Sequence, residues 1–188
     1  MDSLVPAFVA VLLAQAGDRS PWLVAILADR FGKPFTVALA AFLAHAAGNA
    51  VAAIGGALIA PLLTPDARQL LVALALLFAS MGALWRQKPP ERLDGWKLGA
   101  FATSLFGVFI LAAGDTTQFL TFAFAAHGPS PVLAAIGATI AVLAVNTAAA
   151  LLGEKAWRKL PIRAYRIGFG LLCLTTGLIL AAGALRLI

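Results

Sequence analysis

Three ionisable residues interrupt long apolar runs: Asp18, Arg19 and Asp115. At the centre of a membrane helix each such charge costs about 2.5–3.5 kcal/mol, so three left unpaired would cost on the order of 8–10 kcal/mol, comparable with a whole domain's net stability. They must therefore face a polar interior or one another, and intramembrane carboxylates by default mark a path for ions, protons or solutes. Oxygen-bearing side chains stand close by in sequence. Gln15 lies three residues before Asp18, on the same helical face, and Gln118 lies three after Asp115. Ser20 and Thr117 add hydroxyls. Pro21 lacks an N–H and frees the carbonyl of Gly17, four residues back. A broken helix that exposes a carbonyl beside a carboxylate is an arrangement suited to cations; an ordinary proline kink is the plainer alternative. The candidate metal-ligating set is Asp18, Asp115, Gln15, Gln118, Ser20 and Thr117. The bland reading is that these polar groups only hold helices together.

A second set is expected around it, as a surrounding shell or in gating: Arg19, Asn49, Asn146, His45, Gly17 and Gly114. Neighbours at i and i+1 do not face each other on a helix, so Arg19 is not automatically the partner of Asp18; reaching Asp115 is the other option. Asn49 and Asn146 suit interhelical hydrogen bonds, worth roughly 0.6–2 kcal/mol in membranes. His45 lies one turn before Asn49 on the same face. Its pKa range suits proton relay, but the reading favoured here is an interhelical histidine with its hydrogen bonds satisfied.

These residues need elements that hold them in hydrocarbon. Of the 188 residues 62% are hydrophobic and 12% charged, about half the charge fraction of a soluble domain. The mean hydropathy is +0.95. Lipid must be the solvent for most of this chain. The runs are long, rich in Ala, Leu and Gly, and do not alternate as barrel strands do, so helices are left to satisfy the backbone. The net charge of +6 comes from basic residues between the apolar segments, a topological pattern rather than a nucleic-acid surface. Cys173 is the single cysteine, so no disulfide framework or zinc motif forms within one chain. No Lys or Arg precedes Arg19 and Asp2 stands near the start, so the first apolar stretch is expected to be a retained helix rather than a signal peptide. No nucleophile elbow, phosphate loop or metalloprotease motif is present, and no enzyme is expected.

Six spans are expected at 4–28, 34–62, 69–86, 98–126, 131–153 and 164–187. Gly32-Lys33-Pro34, Thr64-Pro65-Asp66, Gly128-Pro129-Ser130-Pro131 and Glu154 to Arg163 break them, and a polar linker divides the chain at 87–97. The loops after spans one, three and five hold Arg30, Lys33, Arg86, Lys88, Arg92, Lys97, Lys155, Arg158, Lys159, Arg163 and Arg166, against Arg68 and Arg186 opposite. This bias places the odd-numbered loops in the cytoplasm and both termini outside. Sliding the chain by 97 positions lays Gly17-Asp18 on Gly114-Asp115, Pro34 on Pro131, Asn49 on Asn146 and Gly56 on Gly153. Repeats of 1–86 and 98–188 follow, three spans each. An odd number inverts the second. The fold class expected is an all-α polytopic membrane protein of six transmembrane helices in two inverted three-helix repeats, with the site at their interface near the midplane.

The stretches Gln15-Ala16-Gly17-Asp18-Arg19-Ser20 and Ala112-Ala113-Gly114-Asp115-Thr116-Thr117-Gln118 resemble the paired signatures of the Gdt-one family (the transmembrane protein 165 family). That pattern is Glu-x-Gly-Asp-Lys/Arg-Ser/Thr, once per half. The resemblance covers nearly the whole chain and implies a manganese or calcium transporter of the lysine-exporter superfamily, generally a proton-coupled exporter. The motif Glu is Gln15 in the first half and Ala112 in the second, and Thr116 replaces the second basic residue. Two of the family's four motif carboxylates are thus absent. Asp18 and Asp115 alone balance a dication, and Mn²⁺ accepts carbonyl and amide oxygens.

Three functional readings follow. The first is export of Mn²⁺, or Ca²⁺, by alternating access, with proton coupling, and with no permanently bound cofactor. The second is export of another small solute on the same scaffold. The third is a non-transporting membrane interaction protein. The expected surroundings are the lipid bilayer of the inner or plasma membrane, with a divalent cation and protons as partners and no nucleic acid; homo-oligomerisation is left open.

Overall fold

The computed structural model describes residues 3–187. Met1, Asp2 and Ile188 lie outside the described residues, and with them Asp2 of the N-terminal reading and the outermost ends of both repeats. Among the described residues there are eight α-helices and no strand: α1 (Leu4–Ala16), α2 (Arg19–Phe31), α3 (Pro34–Ile59), α4 (Pro65–Leu84), α5 (Gly99–Ala112), α6 (Thr116–His127), α7 (Pro131–Trp157) and α8 (Ile162–Ala184). A 3₁₀ turn, Ala60–Leu62, follows α3.

Local chemistry sets these bounds. Pro34, Pro65 and Pro131 each open a helix, where the missing N–H is not needed. Thr64 and Ser130 accept hydrogen bonds from the backbone N–H groups of Ala67 (3.2 Å) and Leu133 (3.4 Å). Gly32, at φ 61°, ends α2 in the left-handed conformation that glycine adopts freely. The helices α3, α4, α7 and α8 are each long and apolar enough to cross a membrane, and the bent pair α5–α6 makes a fifth candidate crossing. Large apolar side chains such as Phe35, Val51, Leu58, Ile110 and Ile179 are exposed on the outside, as lipid-facing surfaces require.

The expected spans 4–28 and 98–126 are not continuous helices. The first breaks between α1 and α2 at Gly17-Asp18, and the second between α5 and α6 with a bend of 65°. The physical causes differ. In the first, Pro21 sits in the opening turn of α2, where it can start a helix but not continue one from α1. In the second, Gly114 takes φ +72°, a turn no ordinary side chain makes cheaply. A second departure concerns Arg166. The sequence groups it with the basic loop residues, but it lies one turn inside α8.

At the centre, α3 and α7 pack on each other. Each also packs on the broken pair from the other half: α3 on α5 and α6, α7 on α1 and α2. Buried Ala41, Ala44, Ala138 and Ala141 are small enough to let these backbones approach. Helices α4 and α8 pair together, and α4 also packs on α6. The starts of α2, α3 and α4 recur 97 positions later as the starts of α6, α7 and α8.

The loops gather at two ends. At one, the Arg30 guanidinium donates to the carbonyls of Arg92 (3.3 Å), Leu93 (2.6 Å), Asp94 (3.2 Å) and Trp96 (3.1 Å). Arg92 pairs with Glu154 at 2.6 Å, and the Glu154 N–H donates to Asp29 Oδ2 at 2.7 Å. At the other, Arg186 pairs with Asp66 at 3.0 Å, and Ser130 N–H donates to Ser3 Oγ at 3.2 Å. The basic loops therefore meet one another, and Arg68 and Arg186 lie at the other end.

Candidate cation site at two broken helices

Both carboxylates sit at a break. Asp18 is the residue before α2 and Asp115 the residue before α6, each in extended backbone. A helix N-terminus points N–H groups and a partial positive charge at such a residue, which favours an anionic side chain there. The two positions then diverge for a reason written in the sequence. Asp115 Oδ1 accepts a hydrogen bond from the backbone N–H of Gln118 at 2.8 Å, an ordinary N-cap. The equivalent residue after Asp18 is Pro21, which has no N–H to give, and the Asp18 side chain makes no capping bond. Asp18 thus has only the nearby backbone N–H groups of Arg19 and Ser20 at the start of α2, and Asp115 keeps Oδ2 buried without a partner. Among the described residues neither carboxylate closes an ion pair, and they are electrostatic neighbours of one another.

Three cavities meet these groups. An inner pocket of about 20 Å³ is lined by Asp18, Gly17, Thr116, Thr117, Gly82 and Arg166, among others. That is room for about one water or one bare ion. A vestibule of about 200 Å³ shares Gly17, Asp18, Gln87 and Arg166 with it and extends to Arg158 and Arg163, at the end where the basic loops gather. A broad, mostly apolar crevice of about 420 Å³ is lined by Asp115, Gly114, Thr116, Gln118 and the rings of Phe78 and Phe119. Thr116 lines both the inner pocket and this crevice.

The other expected ligands are brought together differently. Gln15 and Ser20 line none of these three cavities. Gln15 is fully buried and joins a hydrogen-bond network instead. Its Nε2 donates to Ser20 Oγ (2.8 Å), and its Oε1 accepts from Thr117 Oγ1 (2.9 Å). Ser20 Oγ bonds His45 Nε2 at 2.8 Å. Because Ser20 accepts from Gln15, its own hydrogen is free for His45. The network continues through Thr121, whose hydroxyl donates to the Thr117 carbonyl (2.8 Å) and lies 3.3 Å from Asn49 Oδ1. Asn49 Nδ2 in turn donates to Thr139 Oγ1 at 3.2 Å. His45 bridges helices through Nε2, but the expected satisfied histidine is not what is found: its Nδ1 is buried without a partner. Asn146, the equivalent of Asn49, is equally buried, but both its amide atoms lack partners. Gln118 Oε1 accepts from Gly114 N–H at 3.0 Å, and its Nε2 abuts Gly48.

Arg19 turns to neither carboxylate's cavity. It lines a separate crevice with Leu23, Gly107 and the linker residues Glu91, Leu93 and Trp96. Thr116, Thr121, Thr139, Gln87 and Arg166 were not among the expected site residues. A 97-residue shift could have drawn attention to Thr116, which stands where Arg19 stands in the first half; lone threonines on apolar helices carry no other signal.

Long apolar helices around two partly buried carboxylates at helix breaks fit a multi-pass membrane transporter. The divalent cation/proton antiporter GDT1 family matches residues 3–91 and 100–187, and the chain belongs to that family. It is 30% identical over 167 residues to a "Putative manganese exporter" of Vibrio cholerae serotype O1, covering 86% of this chain and 82% of that protein. No solved structure matches.

Proposed function

We propose that this protein exports Mn²⁺ in exchange for protons, with Ca²⁺ as the lesser cargo. The observation that carries the reading is the inner pocket at Asp18, sized for one ion and reaching Thr116 and Thr117 beside Asp115. Two carboxylates match the charge of a dication, and hydroxyl, carbonyl and water oxygens complete a shell that Mn²⁺ accepts. Among the described residues no three His, Cys, Asp or Glu side chains cluster, so neutral oxygens must supply the rest. The family membership and the Vibrio relative's name support a divalent cargo. Asp18 and Asp115 are the direct ligands in this reading, with Thr117 beside them. Gln15, Ser20, His45 and Asn49 hold Thr117 and α6 in place. Gln118, Gly17 and Gly114 shape the breaks.

The transport cycle in this reading rocks two inverted repeats, 1–86 and 98–188 about the linker 87–97, around the site. It counts α1–α2 and α5–α6 as one broken crossing each, giving six. The basic end faces the cytoplasm and the termini face outward, so the vestibule is the cytoplasmic entrance. The test is flux of Mn²⁺ and of Ca²⁺ in proteoliposomes, with and without an imposed pH gradient. Mn²⁺ movement driven by the proton gradient supports the reading, and movement of neither cation overturns it.

A further inference from the structure

Among the described residues Arg166 is the one cation that lines both the vestibule and the inner pocket, and it does so with Asp18. Its aliphatic stem lies over Gly17, where an added Cβ would stand 2.6 Å from the Arg166 Cγ. Its Nη2 donates to the carbonyls of Gly82 (2.9 Å) and Trp85 (2.6 Å) at the C-terminal end of α4. Its Nε is buried without a partner. Arg166 and Arg19 are the cationic neighbours of Asp18, and Arg166 is the one that shares its cavities.

A tether to the end of α4 is the ordinary explanation, and the second half of the molecule separates the tether from the charge. The residue 97 positions before Arg166 is Gln69. Gln69 Nε2 donates to the Leu180 carbonyl near the end of α8 at 3.0 Å. A neutral amide therefore makes the same kind of tether between the same two helices. The positive charge at 166 is surplus to that role, and it stands beside Asp18 only. No arginine lines the crevice of Asp115.

We propose that the Arg166 guanidinium is a built-in counter-cation and gate: held on the α4 carbonyls beside Asp18 without closing an ion pair, it offsets the carboxylate's charge across the shared pocket while the site holds no cargo, and a divalent cation entering from the vestibule displaces it. The dication outcompetes a single tethered charge because it brings two charges to the two carboxylates. Displacement also frees the link between α8 and the end of α4, which couples loading to movement of that helix pair. This inference rests on the cation-transport reading.

The test measures Mn²⁺ binding to the purified full chain by the loss of the free-ion electron paramagnetic resonance signal. Wild type, Arg166→Gln, Arg166→Lys, Gly17→Ala and Asp18→Asn are compared, with folding checked by elution profile and thermal unfolding. Arg166→Gln keeps a donor for the α4 carbonyls and removes the charge, so binding should tighten by roughly tenfold or more. Arg166→Lys should restore the wild-type value. Gly17→Ala pushes the Arg166 stem aside and should shift binding in the same direction as Arg166→Gln; it decides the matter by itself if Arg166→Gln does not fold. Unchanged or weaker binding in folded Arg166→Gln, or in Gly17→Ala where that variant decides, overturns the gate and leaves the transport reading standing. No Mn²⁺ binding by wild type, or binding indifferent to Asp18→Asn, instead overturns the transport reading and the gate with it.

Discussion

The unequal capping of the two carboxylates gives a prediction that separates fold from function. Asp115→Ala removes the bond from Gln118 N–H to Oδ1, 2.8 Å long, and leaves that N–H unpaired at the start of α6. Loss of an N-cap costs about 0.5–2 kcal/mol, typically about 1 kcal/mol. Some of this is offset, because the substitution also removes Oδ2, a buried acceptor with no partner. The net loss expected is about 0.5–1 kcal/mol. Asp18→Ala breaks no capping bond to the third helical residue, because Pro21 offers none, and what it gives up in charge interaction at the start of α2 is offset by relief of a partly desolvated carboxylate, so a smaller loss than for Asp115→Ala is expected. Asp115→Asn keeps a cap of equal quality and should match wild type in stability. All three variants lose a charge from the site and should lose Mn²⁺ binding together. Equilibrium unfolding in mixed micelles, followed by tryptophan fluorescence, reads the stabilities, and the Mn²⁺ resonance reads binding. The reasoning fails if Asp18→Ala destabilises as much as Asp115→Ala, or if Asp115→Asn destabilises as much as Asp115→Ala.

Other outcomes follow from the same contacts. Gln15→Glu exchanges the donor that serves Ser20 Oγ for an acceptor in a fully buried position, so unfolding should show a loss of about 1–3 kcal/mol without tighter Mn²⁺ binding; a gain in affinity would return position 15 to the ion's own shell. Asn49→Leu forfeits bonds to Thr139 and Thr121, about 0.6 kcal/mol each by membrane double-mutant values, whereas Asn146→Leu removes two unpartnered buried atoms and should be neutral or stabilising in the same unfolding assay. Single cysteines at Gln87 and Thr64 in a Cys173→Ser background should react with impermeant reagents from the cytoplasmic and the outer side respectively; the reverse pattern would invert the orientation.

Much of this was legible beforehand, and the residues show why. The coincidence of Gly17-Asp18 with Gly114-Asp115 marks the paired carboxylates, but the break at Gly114 is not foreseen, and the one beside Asp18 is offered only through Pro21. Pro34 and Pro131 mark helix starts because their chemistry is local, whereas α4 opens at Pro65, four residues before the start expected at 69. The partners across helices were hidden. Arg166 sits within a run of basic residues that reads as a topological signal, and only packing shows its stem lying over Gly17. Thr121 and Thr139 look like filler until α3 is placed between α6 and α7. Gln15 was expected at the ion because it shares a face with Asp18 in an unbroken helix. The break at Gly17 ends that shared face and turns Gln15 to Ser20, His45 and Thr117 instead.

The central claim is that Asp18 and Asp115 together hold a transported dication. Its most direct test is Mn²⁺ flux into proteoliposomes driven by an imposed pH gradient, for wild type, Asp18→Asn and Asp115→Asn. These substitutions keep volume, and each removes one charge. A shared site predicts gradient-driven Mn²⁺ flux in wild type and near-complete loss in either folded variant; undiminished flux in a folded variant would contradict it.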